Sequence, residues 1–360
     1  MHSPLLDPSS ITPCLTTVAG PLPVSAVRGP ALAHEHLVLD LDRAGDGGAV
    51  LDAWRHRSAV VAELTALSAE FGLALVIELT CRGMGRDPRA LVRIAEESGV
   101  AVVAATGWYY EPFHPRETAE ASVAQLTEIL VREIEEGIGA SGVRPGVLGE
   151  IGSHGDRPSG RESRALLASA HAARATGLSL ATHAQFGRGG LAQLELLAGT
   201  GLPPYRISIG HQDLLDDPGT HRELAASGAY VAFDTVGKER YQSDDTRLRL
   251  LLALLEAGHA DRALLSCDIS RHSYLTAEGG QGYGHLFHSF LPAARAAGVD
   301  DGLIDLVTRR NPLRFLTGAD TDGEARGGTS TDTDTARATG TTGTAGTARA
   351  ADADTDAEEI

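Results

Sequence analysis

Leu32-Ala33-His34-Glu35-His36-Leu37 closes the first short apolar run of the chain, and its reading decides the fold. If the run is a strand, residues i and i+2 share one face, so His34 and His36 present two imidazoles in the same direction. Seven further runs follow it: Ala74–Leu79, Val100–Thr106, Val147–Glu150, Leu178–His183, Ile207–His211, Tyr230–Phe233 and Ala263–Cys267. Each spans four to seven residues between Gly or polar turn residues, the pattern of buried parallel strands.

Helical stretches separate the runs. Ser58–Phe71 carries Val60, Val61, Leu64, Leu67 and Phe71 at helical spacing, and Pro88 and Gly99 open and close the next helix. Thr118–Glu136, Arg161–Thr176, Gly189–Ala198, Pro218–Ser227 and Asp245–Ala257 repeat the pattern, and Leu286–Ala297 and Leu303–Arg309 complete it. Strand–helix alternation predicts parallel βαβ units, and eight of them predict an α/β fold, a (β/α)8 TIM barrel. An open doubly wound sheet is the competing arrangement.

Residues of metal-binding type fall at the ends of these runs. Glu150 ends the fourth, His183 the fifth, His211 the sixth and Asp268 the eighth, beside His34 and His36 at the first. The C-terminal ends of barrel strands meet at one mouth, where active sites are built. Unpaired, six such groups would be costly to bury. Imidazole and carboxylate without thiolate suit zinc, with manganese, cobalt or iron as alternatives. Six ligands exceed the needs of one tetrahedral ion, so two divalent ions sharing a carboxylate are expected.

Composition narrows the function classes. The formal net charge of −17 argues against nucleic acid as a partner. Ten acidic and three arginine residues in 319–360 supply −7 of it. That segment is rich in Thr, Ala, Gly and Asp, and is expected to be a disordered low-complexity acidic tail. Residues 1–16 are expected to be a loose N-terminus, leaving a hydrolase barrel over 17–318. No apolar run is long enough to cross a membrane, and no secretory signal is evident, so a cytoplasmic protein is the default. Cys14, Cys81 and Cys267 are too few and too dispersed for a disulfide framework. Lys238 is the single lysine of the chain.

Taken in order, several pieces resemble the phosphotriesterase family of the amidohydrolase superfamily, in particular its phosphotriesterase homology branch. They are the His34 segment, Gly83-Met84-Gly85-Arg86-Asp87, Ala105-Thr106-Gly107-Trp108-Tyr109, Gly149-Glu150-Ile151-Gly152, Thr182-His183, Gly210-His211-Gln212-Asp213, Phe233 to Lys238, Ser266 to Ile269, and Arg310-Asn311-Pro312. By that resemblance His34, His36 and Asp268 bind the more buried metal, and His183 and His211 the more exposed one. Glu150 bridges them together with a water-derived hydroxide. Many members use a carbamylated lysine on the fourth strand; this chain has none there, which leaves Glu150 as the bridge. A homodimer is also implied by the family.

The expected chemistry is attack by hydroxide on a small-molecule carboxylic ester or lactone, with Asp268 accepting the proton and His272 or Asp234 passing it on. Phosphotriesters and N-acyl amides are the alternatives on the same site. A non-catalytic metal-binding protein and a single-metal deaminase are alternatives of other kinds. Tyr109, Lys238 and Arg271 are the expected substrate contacts, the two cations holding an anionic group.

Overall fold

The computed structural model describes residues 13–45 and 47–318. The expected acidic tail lies outside the described residues. Eight parallel strands form the barrel wall: β1 (Ala31–Glu35), β2 (Leu75–Glu78), β3 (Ala101–Thr106), β4 (Val147–Ser153), β5 (Leu180–Ala184), β6 (Ile207–Ile209), β7 (Tyr230–Phe233) and β8 (Ala263–Leu265). Each pairs with the next in chain order, from β1 through β8.

The seam between β8 and β1 is joined by a side chain. The Glu35 carboxylate accepts from Ser266 Oγ (2.7 Å), Cys267 N (2.8 Å) and Ile269 N (2.8 Å). Glu35 lies between the two histidines of the first motif, so alternation turns it away from them and toward the last strand.

The helices follow the expected order: α1 (Arg57–Phe71), α2 (Pro88–Ser98), α3 (Val123–Glu136), α4 (Gly160–Thr176), α5 (Gly190–Ala198), α6 (Pro218–Ala226) and α7 (Asp244–Glu256). Asp87 caps α2 by accepting from Arg89 N and Ala90 N. The helix expected over Thr118–Glu136 is two pieces, Glu117–Glu120 and α3, because Ser122 starts a new helix with a Ser122/Gln125 capping box.

Outward strand residues such as Val76, Val102, Leu148, Ile209 and Phe233 pack against the helices. Inward residues, including Ala33, Ile77, Val103, Ala181 and Ala232, fill the barrel with Leu15, Leu313 and Phe315. Leu15 belongs to an antiparallel hairpin, Cys14–Thr17 with Gly20–Pro23. The loose N-terminus expected for 1–16 is therefore corrected for its last residues. Val18 N bonds Val102 O at 2.9 Å, tying the hairpin to the N-terminal end of β3. No helix among the described residues is long and apolar enough to cross a membrane.

Candidate metal centre

Two strand irregularities aim the central residues. The β1–β2 register shifts between Leu32 and Glu35, across His34, and the β4–β5 register shifts between Leu148 and Ile151, across Glu150. Bulges commonly re-aim side chains next to active sites. His211 (φ 57°) and Asp268 (φ 48°) both sit in the left-handed region, which side-chain-bearing residues adopt at a cost of about 1–3 kcal/mol when the surroundings enforce it.

The mouth brings all six expected ligands together. His34, His36 and Asp268 form one group whose ligand atoms lie within 4.8 Å of one another, and Glu150, His183 and His211 form a second. Glu150 reaches both: Oε1 lies 3.3 Å from His36 Nε2, and Oε2 lies 3.2 Å from His183 Nδ1, 3.5 Å from His34 Nε2 and 3.6 Å from His211 Nε2. Asp268 Oδ1 is 3.2 Å from His36 Nε2.

Each imidazole has its other nitrogen tied down. His34 Nδ1 donates to Asp234 Oδ2 at 2.7 Å, and His211 Nδ1 donates to Asp234 Oδ1 at 2.9 Å. Thr80 Oγ1 donates to Glu78 at 2.5 Å, so it receives the proton of His36 Nδ1 at 2.8 Å. His183 Nε2 donates to Gln185 Oε1 at 2.5 Å. These bonds fix the tautomers and leave His34 Nε2, His36 Nε2, His211 Nε2 and His183 Nδ1 with inward lone pairs.

That arrangement suits cations. His34 Nε2 is buried with no hydrogen-bond partner. His211 Nε2 and His183 Nδ1 face each other at 2.8 Å, although both rings spend their N–H on other partners. Two lone pairs at this distance need a proton or a metal between them.

The electrostatics agree. Burial alone would lower the pKa of His34, His36 and His211, but Glu150, Asp234 and Asp268 reverse it, bringing His36 to about 9 and His211 to about 10. His183 is shifted down by burial and by His211. Glu150 is held well below the carboxylate range because the histidines outweigh its burial. What attracts a proton to these imidazoles attracts a metal ion as well.

The remaining expected residues divide. Tyr109 Oη reaches His183 Nδ1 at 3.2 Å, at the edge of the centre. Lys238 is not a free cation for a substrate: its buried Nζ donates to Asp268 Oδ2 (2.6 Å) and Ser270 Oγ (3.1 Å). Arg271 lies over the Tyr274 ring, 5.3 Å from its centroid. Asp234, expected as a proton relay, instead clamps His34 and His211. His272 stacks on His56 at 5.1 Å, and Lys238 and His36 hold Asp268 in its place. Sequence reasoning missed Thr80, Glu78 and Gln185, whose partners lie across strands or one turn away. Asp234 was legible as a strand-end carboxylate, but not as a clamp.

A barrel mouth that gathers buried imidazoles and carboxylates into groups able to hold metal ions defines the class, a metal-dependent barrel hydrolase. The phosphotriesterase family model matches residues 13–316, and the chain belongs to that family. It is 37% identical to the phosphotriesterase homology protein of Escherichia coli (strain K12) over 288 residues, covering 80% of this chain and 98% of that protein. The crystal structure of that Escherichia coli protein, with phosphate in its active site, superposes with a TM-score of 0.78 at 36% identity, covering 81% of this chain and 99% of the other. The N-acetyltaurine hydrolase of Bos taurus is 33% identical over 72% of this chain and 77% of its own. A mutant phosphotriesterase-like lactonase of Deinococcus radiodurans aligns with a TM-score of 0.75 at 32% identity, over 84% of this chain and 99% of its own.

Proposed function

We propose that the protein hydrolyses a carboxylic ester or lactone at a centre of two divalent ions, zinc being the assignment. His34, His36 and Asp268 would hold one ion, His183 and His211 the other, and Glu150 would serve both. The observation that supports this is the reach of the one Glu150 carboxylate to imidazoles of both groups, whose untethered ring nitrogens point inward. The buried thiols are engaged elsewhere, Cys81 with Met84 Sδ at 3.4 Å and Cys267 with Tyr283 O at 3.7 Å, which leaves an oxygen and nitrogen donor set.

Bound there, such cations would lower the pKa of water and polarise the carbonyl oxygen of the acyl group. The chain's own groups do the rest. Asp268 is buried, yet the Lys238 ammonium and His36 hold it down to about 2, so it stays ionised as a ligand, and its place among the ligands, not its basicity, makes it the proton acceptor of this proposal. Tyr109 Oη stands beside His183, where it can meet a substrate oxygen.

An N-acyl amide is the second substrate class, favoured by the kinship with N-acetyltaurine hydrolase. Metal-loaded protein screened against lactones, aryl esters, N-acyl amino acids and a phosphotriester separates the two. The highest kcat/KM is expected on an ester or lactone. A clear preference for N-acyl amino acids replaces that class with the second, and full activity after chelation defeats both.

A further inference from the structure

Three of the four imidazoles at the centre lean on oxygens that only accept. His34 and His211 donate to the Asp234 carboxylate, and His183 donates to the amide oxygen of Gln185. His36 is different, because its Nδ1 meets the Thr80 hydroxyl at 2.8 Å. A hydroxyl can donate as well as accept.

The direction of that bond decides what His36 can do. If Thr80 donated to Nδ1, the ring proton would sit on Nε2, which lies 3.2 Å from Asp268 Oδ1 and 3.3 Å from Glu150 Oε1. That nitrogen would then have no lone pair for a cation.

Glu78 sets the direction. It ends β2 and Thr80 follows two residues later, so strand alternation brings the two side chains to one face. The Thr80 hydroxyl lies 2.5 Å from Glu78 Oε1. The same oxygen receives the Leu37 N–H at 3.3 Å, which marks it as an accepting oxygen and draws the Thr80 proton to it. The hydroxyl then turns a lone pair toward His36. Glu78, Thr80 and His36 are all buried, away from water that could reverse the order.

Holding Leu37 N does not by itself account for a carboxyl group here. Glu78 Oε2 is buried with no hydrogen-bond partner, a cost that the long bond to Leu37 does not offset. A role toward His36 accounts for it.

We infer that Glu78 is a positioning residue of the metal centre: by accepting the Thr80 proton it fixes the Nδ1–H tautomer of His36 and keeps His36 Nε2 free to bind a cation. The role rests on the two-ion centre proposed above and holds whichever bond is hydrolysed. Hydrogen-bond direction carries it, not charge. An amide oxygen at this position serves as well as a carboxylate, and a side chain without an acceptor does not.

Metal affinity, read by competition of zinc-loaded protein with a chelator, tests the role without any substrate. Glu78→Leu is expected to weaken one of the two ions about tenfold or more, and Glu78→Gln by no more than about threefold. Thr80→Val is expected to weaken the same ion. Adding Glu78→Leu to Thr80→Val is expected to cost less than about twofold more, because the carboxyl acts only through the hydroxyl. Glu78→Met stands in if the Leu variant fails to fold.

A Gln variant as weak as the Leu variant overturns the role, since charge would then be the cause. Single effects that multiply in the double variant also overturn it, as does wild-type affinity in Glu78→Leu. If wild type takes up a single ion, the two-ion reading fails, and Glu78 stands or falls by the same comparison on that ion.

Discussion

Asp234 illustrates how much of the centre depends on residues outside the six expected ligands. Each of its oxygens receives a proton from a different imidazole, and Oδ1 also accepts from His211 N at 2.8 Å. Asp234→Ala releases the tautomers of His34 and His211 together, one from each group of ligands. Metal affinity is expected to fall about 10–100-fold, read by competition with a chelator. Affinity within about twofold of wild type contradicts the clamp. That the six expected ligands cluster was legible because they fall at or just past the ends of apolar runs. The partners that orient them were not, since Thr80 and Gln185 look like any polar residue at a strand end. Lys238 was misassigned for the same reason: a sequence shows a lysine at a loop, not that it turns back to Asp268.

At the scale of elements, the eight strands were read to within a few residues, because inward Ala and Val alternate with outward Leu, Val and Ile on a wall buried on both sides. The N-terminal hairpin was missed: Gly20-Pro21-Leu22-Pro23 has two prolines and no alternating apolar pattern, and its pairing is with Cys14–Thr17 alone. The side chain that joins the ends of the barrel was also invisible. Its last seam depends on Glu35, a charged residue inside a metal motif, whose burial pushes its pKa up to about 7 despite three donors. Glu35→Ala strands the buried N–H groups of Cys267 and Ile269 at about 1–3 kcal/mol each. A loss of roughly 2–6 kcal/mol in urea unfolding is expected. A loss below about 1 kcal/mol means the seam holds without the carboxylate.

For the whole molecule, protons and metals compete for one set of sites. In the metal-free protein His36 and His211 are raised to about 9 and about 10, above an unfolded value near 6.5. A raised histidine stabilises fully below its unfolded pKa and loses that contribution as pH climbs through the folded one. The melting temperature of metal-free protein is therefore expected to fall between about pH 7 and pH 10. Glu150 and Asp268 are depressed, so their contribution is present above about pH 4 and is lost on acidification. Metal-loaded protein keeps its stability through the alkaline range, because cations replace those protons. Parallel alkaline profiles for the two forms contradict this exchange.

All of this rests on two ions held by one shared glutamate. Elemental analysis of dialysed, metal-reconstituted wild type and Glu150→Ala tests it most directly. About two equivalents per chain are expected for wild type, and about one or fewer for the variant. One equivalent in wild type, or two tightly held in the variant, contradicts it.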